Sequence, residues 1–170
     1  MEIEVKIKIK DIEELKSRLL ALGTILTKGR YQEDNTLYDF PSAGLYKRRC
    51  ALRLRAENKK TFLTFKGPPL KSRKFKIRQE YETEVKNRKQ LIKILKELGL
   101  VPTISYDKRR SVYKKKKLKI CLDETSAGNF IELEGERHDI VQFARCLGFS
   151  KKDFIKLDYI QLIRGAGERG

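Results

Sequence analysis

The chain has 170 residues, with 40 Lys or Arg against 23 Asp or Glu, a formal net charge of +17. Its length and 39% hydrophobic content suit one globular domain spanning 1–170 and exclude a disordered or membranous class, while the positive field favours polyanionic partners. A single histidine, His138, removes His-based triads and most His-ligated metals, and Cys50, Cys121 and Cys146 are too scattered for a disulfide framework or a zinc knuckle.

Any metal must therefore be held mainly by oxygen. No apolar run is long enough to span a bilayer, and the N-terminus carries no basic segment leading into an apolar one, so a soluble cytoplasmic protein with no membrane partner is expected. Abundant Lys and Glu with one Met and no Trp is also the composition of a thermophile, whose surface is coated with ion-pair networks.

The first element is a strand: in residues 2–10, Ile3, Val5, Ile7 and Ile9 alternate with Glu2, Glu4, Lys6, Lys8 and Lys10. Asp11 then caps a helix with apolar positions Ile12, Leu15, Leu19 and Leu22, and Gly23 stops it. Strands follow over 31–40, 51–56 and 61–66, and the turn "KGPP" closes this half. The plan then repeats: a strand over 74–85, Asn87 as cap, a helix through Leu91, Ile94, Leu95 and Leu98, and Gly99. Strands over 104–112, 118–122 and 129–136 lead to a helix through Val141, Phe143 and Leu147 and a last helix over 152–163. The basic runs at 71–76 and 114–119 read as solvated hairpin tips.

Arg53 and Arg55 alternate with Leu52 and Leu54, Arg78, Glu80 and Glu82 with Ile77, Gln79 and Tyr81, and Glu132 and Glu134 with Ile131 and Leu133. One side of the sheet is thus ionic, which in an open sheet would mean only that it faces water. Two features point further. Arginine suits bidentate contact with phosphate oxygens, and repeated Glu-x-Glu pairs place two carboxylates side by side, a repulsion that a divalent cation relieves. Curled inward, this face would line a closed antiparallel barrel whose charged lumen holds water, ions and a ligand of both signs, a metal-bound polyphosphate.

The motifs that carry a family resemblance are ExExK (Glu2, Glu4, Lys6), "NTLYDFP" at 35–41, "ALRLR" at 51–55, "LTFKGP" at 63–68, "RQEYE" at 78–82, "DKRR" at 107–110, "CLDE" at 121–124, "FIELEGE" at 130–136, and a C-terminal helix with Tyr159. In this order they resemble the CYTH family of triphosphate tunnel metalloenzymes, which includes class IV adenylate cyclases, thiamine triphosphatases and inorganic triphosphatases. The resemblance implies an α+β fold, an eight-stranded antiparallel closed tunnel barrel with a charged lumen and helices packed outside.

It also implies roles. Glu2, Glu4 and Glu134 would be the leading ligands of Mg²⁺ or Mn²⁺, with Glu132, Asp123, Glu80 and Glu82 completing a second site or holding basic neighbours. Lys6, Arg53, Arg55, Lys66, Arg78, Lys108 and Arg110 would line the substrate phosphates, with Lys66, Lys6 and Arg55 neutralising charge as a P–O bond breaks; Arg109 points outward by strand parity. The substrate would be a triphosphate-containing small molecule, namely ATP, thiamine triphosphate or tripolyphosphate, processed by hydrolysis or by cyclisation to cyclic AMP and pyrophosphate. Tyr31 or Tyr38 is the candidate to position water, and Asp34 stands where a tyrosine is expected. The alternative is a non-catalytic module binding polyphosphate or RNA 5′ ends, against which the aromatics fall mostly on apolar faces. A homodimer fits the family, although no residue demands it.

Overall fold

The computed structural model describes residues 1–167. In chain order the elements are β1 (Glu2–Ile9), α1 (Ile12–Ala21), β2 (Ile25–Asp39), α2 (Gly44–Lys47), β3 (Ala51–Glu57), β4 (Lys60–Lys66), β5 (Lys76–Arg78), β6 (Glu80–Glu84), α3 (Arg88–Glu97), β7 (Val101–Lys115), β8 (Leu118–Thr125), β9 (Gly128–Glu134), α4 (Arg137–Cys146) and α5 (Tyr159–Gly167). The caps act as their residue types require. The Asp11 carboxylate accepts from the N–H groups of Glu13 and Glu14, and Asn87 accepts from that of Gln90; Gly23 and Gly99, at φ +70° and +80°, end the two helices in the left-handed region.

The protein is α+β, as expected. Its strands run in the order β5-β1-β9-β8-β7-β2-β3-β4-β6. The first and last of these are separated in the chain by Gln79 alone. Among the described residues nine strands replace the expected eight because the stretch read as one strand over 74–85 breaks at Gln79. Its halves bond to different neighbours, β5 to β1 and β6 to β4, and the Gln79 carbonyl accepts from Gly67 N–H at 2.8 Å. The last helix also starts later than expected, at Tyr159. Residue 155 is held as an extended bridge, with Lys6 and Ile155 exchanging backbone hydrogen bonds of 3.2 and 2.8 Å. Asp158 and Gln161 then cap α5 reciprocally, each side chain accepting from the other's N–H at 3.0 Å.

The chain divides into two compact units. The first is built on Gln32–Leu70 and Arg78–Asp107, the second on Glu2–Tyr31, Lys71–Ile77 and the chain from Lys108 onward. In the first unit, Tyr38, Leu45, Cys50, Leu54, Leu95 and Leu100 form the core, with Leu52, Leu63, Phe65 and Leu91 packed on it. In the second, Val5, Ile7 and Ile9 of β1, Ile120 and Leu122 of β8, and Ile131 and Leu133 of β9 are buried with Leu15 and Leu19 of α1 and Ile140, Phe143 and Ala144 of α4. Because side chains alternate along a strand, burying these apolar sets commits every intervening residue to the opposite face. Among the described residues no helix is long and apolar enough to cross a membrane.

Candidate active site

In the second unit, antiparallel pairing sets Glu4 opposite Glu134, Lys6 opposite Glu132, and Arg110 opposite Asp123. These side chains share the face turned from the core. The Lys6 ammonium lies 2.7 Å from Glu4 Oε1 and 3.0 Å from Glu132 Oε2, and Lys76 reaches Glu4 Oε1 at 3.4 Å. Arg110 donates two 2.6 Å bonds to Asp123 and a third, of 3.0 Å, to Glu132. Lys108 donates to Asp123 at 3.3 Å, and Lys119 to Glu134 at 2.7 Å. Lys6, Lys108, Arg110, Asp123 and Glu132 are all buried.

Buried charge is tolerated only when paired, and the protonation equilibria reflect that. Burial acts to discharge Lys6, yet Glu132 and Glu4 outweigh it and hold the ammonium well above its ordinary range. Burial likewise opposes ionisation of Glu132, but Lys6, Arg110 and Lys108 keep its carboxyl well below the usual range. Tyr159 completes the cluster by donating its phenol to Asp123, and its ring lies under the ammoniums of Lys6 and Lys108 at 5.0 and 4.6 Å. Burial, then Asp123 and Glu132, push the phenol well above its ordinary value, so it keeps its proton and serves as a hydrogen-bond donor. On the same face burial pushes the Cys121 thiol up to about 12, which leaves it unreactive.

The first unit carries a second ionic cluster on β2, β3, β4 and β6. Arg55 stands among three carboxylates: Nη2 donates to Glu82 at 3.0 Å, Nη1 lies 3.8 Å from Glu33, and Nε lies 3.6 Å from Glu57. Its guanidinium rests on the Phe62 ring at 5.1 Å. Arg53 donates to Thr64 at 3.3 Å, Thr64 donates to Glu82 at 2.6 Å, and Lys66 donates to Glu80. Burial opposes the charge on Arg53, but Tyr106, Glu33, Glu82 and Glu80 raise its pKa. Despite these contacts, the buried Nε–H groups of Arg53, Arg55 and Arg78 have no hydrogen-bond partner, nor does either end of the Asn35 amide.

Of the residues of the first unit expected to bind phosphate, Arg53, Arg55 and Lys66 share one cluster, while Arg78 donates to the Arg49 carbonyl. In the second unit Lys6, Lys108 and Arg110 converge on Asp123 and Glu132. Glu80 and Glu82 act as ion-pair partners of lysine and arginine. Arg109 is exposed and is the register partner of Glu124, on the face opposite Arg110, as parity required.

The expected metal ligands offer the hard oxygen donors that Mg²⁺ or Mn²⁺ take, and the facing pair Glu4 and Glu134 is a like-charge contact that a cation relieves. In the structure, lysine ammoniums hold Glu4 and Glu134. Among the described residues no three His, Cys, Asp or Glu side chains form a group that could hold an ion. The donor chemistry fits a divalent metal; ligation requires the carboxylates to turn from their lysines.

Two expectations fail on orientation. Tyr38 pairs with Leu52 and is buried in the apolar core, on the face opposite Arg53 and Arg55, so it cannot position water there. The basic run at 71–76 is not wholly a solvated tip, since half-buried Lys76 pairs with Glu4. Sequence reasoning also passed over Lys119, Thr64, Glu33, Glu57 and Asn35, each of which strand parity could have placed on the ionic face. No local signal marks Tyr159 as a partner of Asp123, because that contact spans 36 positions of chain.

The CYTH domain matches residues 1–154. A Methanocaldococcus jannaschii protein provisionally named adenylate cyclase is 29% identical over 173 residues, covering 95% of this chain and 98% of that one. The structure of the PH1012 protein from Pyrococcus horikoshii superposes with a TM-score of 0.80 at 28% identity, covering 96% and 99% of the two chains. A Hippeastrum protein provisionally named adenylyl cyclase, described as having a dominant triphosphatase activity, shares the fold at a TM-score of 0.71 and 21% identity over 97% and 96%. With most of its length matched in this way, and with paired carboxylates and arginines on its strands, the chain belongs to the CYTH domain family.

Proposed function

We propose that the protein is a cytoplasmic, divalent-metal-dependent enzyme that breaks a phosphoanhydride bond of a triphosphate, either by hydrolysis or by cyclisation. One observation carries the reading: Arg53, Arg55 and Arg78 each keep a buried Nε–H without a hydrogen-bond partner. An unpaired buried donor is costly, and a guanidinium N–H is best satisfied by an anionic oxygen. A polyphosphate supplies several such oxygens at short spacing. Family membership, the name of the M. jannaschii relative and the activity described for the Hippeastrum protein on the same fold all favour this substrate class.

In the second unit Glu2, Glu4, Glu134, Glu132 and Asp123 are the residues that would hold Mg²⁺ or Mn²⁺, and Lys6, Lys108 and Arg110 bind phosphate oxygens. Such a metal, when bound, neutralises phosphate charge and polarises the P–O bond. In the first unit Arg53, Arg55, Arg78 and Lys66 bind phosphate through charge-assisted hydrogen bonds, and Lys66 and Arg55 oppose the negative charge that shifts onto the leaving oxygen. In hydrolysis, water attacks the terminal phosphorus and a diphosphate leaves. In cyclisation, the ribose 3′ oxygen attacks the α phosphorus and pyrophosphate leaves.

Purified protein with Mg²⁺ or Mn²⁺, offered ATP, thiamine triphosphate and tripolyphosphate in turn, is expected to release phosphate or to form cyclic AMP with pyrophosphate. Mass analysis of the products separates the two branches. Tight polyphosphate or RNA 5′-end binding without any product, unchanged across metals, would instead identify a binding module.

A further inference from the structure

Asn35 lies on β2 opposite Arg55 of β3, so its side chain shares the ionic face with Glu33 and Leu37. It is 1% exposed, and neither its Nδ2 nor its Oδ1 has a hydrogen-bond partner. Whichever way the amide is turned, a buried donor end and a buried acceptor end remain side by side. The neighbouring guanidinium does not supply the missing donor, because Arg55 is turned to Glu33, Glu57 and Glu82 and lies on Phe62.

A phosphate chain cannot satisfy this amide. Ionised phosphate oxygens only accept hydrogen bonds, so they would serve Nδ2 and leave Oδ1 orphaned. The group that answers both ends is a flat edge with an N–H donor beside a ring-nitrogen acceptor, the geometry in which asparagine reads adenine. Two further side chains of this face point the same way. Leu37, opposite Arg53, and Phe62, opposite Arg55, are apolar residues in otherwise polar rows. Both offer apolar contact to a heterocycle and neither can donate a hydrogen bond to a phosphate oxygen, although Phe62 also carries the Arg55 guanidinium on its ring.

We propose that Asn35 is a specificity residue that reads the planar donor–acceptor edge of a heterocycle, at the organic end of a triphosphate held by the neighbouring arginines. The inference rests on the triphosphate reading above and narrows it to organic triphosphates. Adenine and the aminopyrimidine of thiamine share this edge, so both belong in the test.

The experiment is equilibrium binding of ATP, thiamine triphosphate and tripolyphosphate, in EDTA and in Mg²⁺, to the full-length wild type, Asn35→Leu and Asn35→Ser, with melting curves of each ligand-free protein. Both substitutions are expected to lower the ratio of organic-triphosphate to tripolyphosphate affinity by about tenfold. The source of the edge is whichever organic ligand, ATP or thiamine triphosphate, suffers the loss. Ligand-free Asn35→Leu is expected to melt no lower than the wild type, because two unpartnered polar atoms are removed with little change in volume. An unchanged ratio in both variants overturns the proposal while leaving the triphosphate reading intact. So does a fall of several degrees in the melting temperature of Asn35→Leu with all three ligands weakened alike, since the amide would then serve the fold. Failure of the wild type to bind any of the three ligands overturns both readings.

Discussion

Glu4 and Glu134 face each other as register partners on β1 and β9, two carboxylates separated only by the width of a strand pair, with Lys6 and Lys76 on one and Lys119 on the other. The lysines offset a repulsion that a divalent ion would offset better. Glu134→Gln should therefore lower metal-dependent turnover by at least about 100-fold and raise the Mg²⁺ concentration needed for half-maximal rate. Metal titrations of activity, with EDTA as the zero point, check it, and the melting temperature should change by no more than a few degrees.

Arg55 carries a different load, since it touches three carboxylates and rests on Phe62. Arg55→Lys keeps the charge but loses the planar fork and the stacking. It should weaken triphosphate binding by roughly ten- to a hundredfold, the equivalent of one or two charge-assisted hydrogen bonds. Titration at two salt concentrations checks this, because a simple loss of field would vanish at high salt and a lost fork would not.

Tyr159→Phe removes the phenol that donates to Asp123 and leaves that carboxylate with Arg110 and Lys108. The expected cost is about 1.5–3 kcal/mol, a fall in melting temperature of roughly 3–10 °C. Tyr159→Ala should cost more, since it also removes the edge contact with Phe130 at 5.8 Å and the ring beneath two ammoniums. Equal melting temperatures for the two variants would contradict the packing described for this ring.

The Asp39 carboxylate accepts from the backbone N–H groups of Phe40, Leu45 and Tyr46 at 2.7, 2.8 and 2.9 Å, shaping the turn that leads into α2. Burial acts to raise its pKa, but the bonds from Leu45, Tyr46 and Phe40 win and lower it. A carboxyl lowered in the folded state stabilises at pH values above its unfolded pKa of about 3.9, and that contribution is lost as pH falls through the lower folded value. Asp39→Asn should melt roughly 2–8 °C below wild type at pH 7. The gap should close as pH falls below about 4; melting curves across that range decide the matter.

Several of these relationships were legible before any coordinates. Alternation in residues 2–10 is enough to place Glu4 and Lys6 on one face and Val5 and Ile7 on the other, and parity correctly turned Arg109 away from Arg110. The caps at Asp11 and Asn87 were readable for the same reason, since each acts on backbone groups two or three residues away. Tyr38 was misjudged because a residue type was considered without applying the same parity: Leu37, not Tyr38, shares the face of Arg53.

What the amino-acid order determined by itself is therefore local: which stretches are strands, where helices begin and end, and which side chains share a face, all set by steric and hydrogen-bonding preferences acting over a few residues. Tertiary structure alone decided the pairings across the chain. It split one apparent strand at Gln79 because its halves find partners on β1 and β4, and it brought Tyr159 to Asp123. It also left the Asn35 amide unpartnered beside Arg55. Such outcomes depend on register between distant segments, where hydrogen bonds and burial are shared by residues that no local pattern connects.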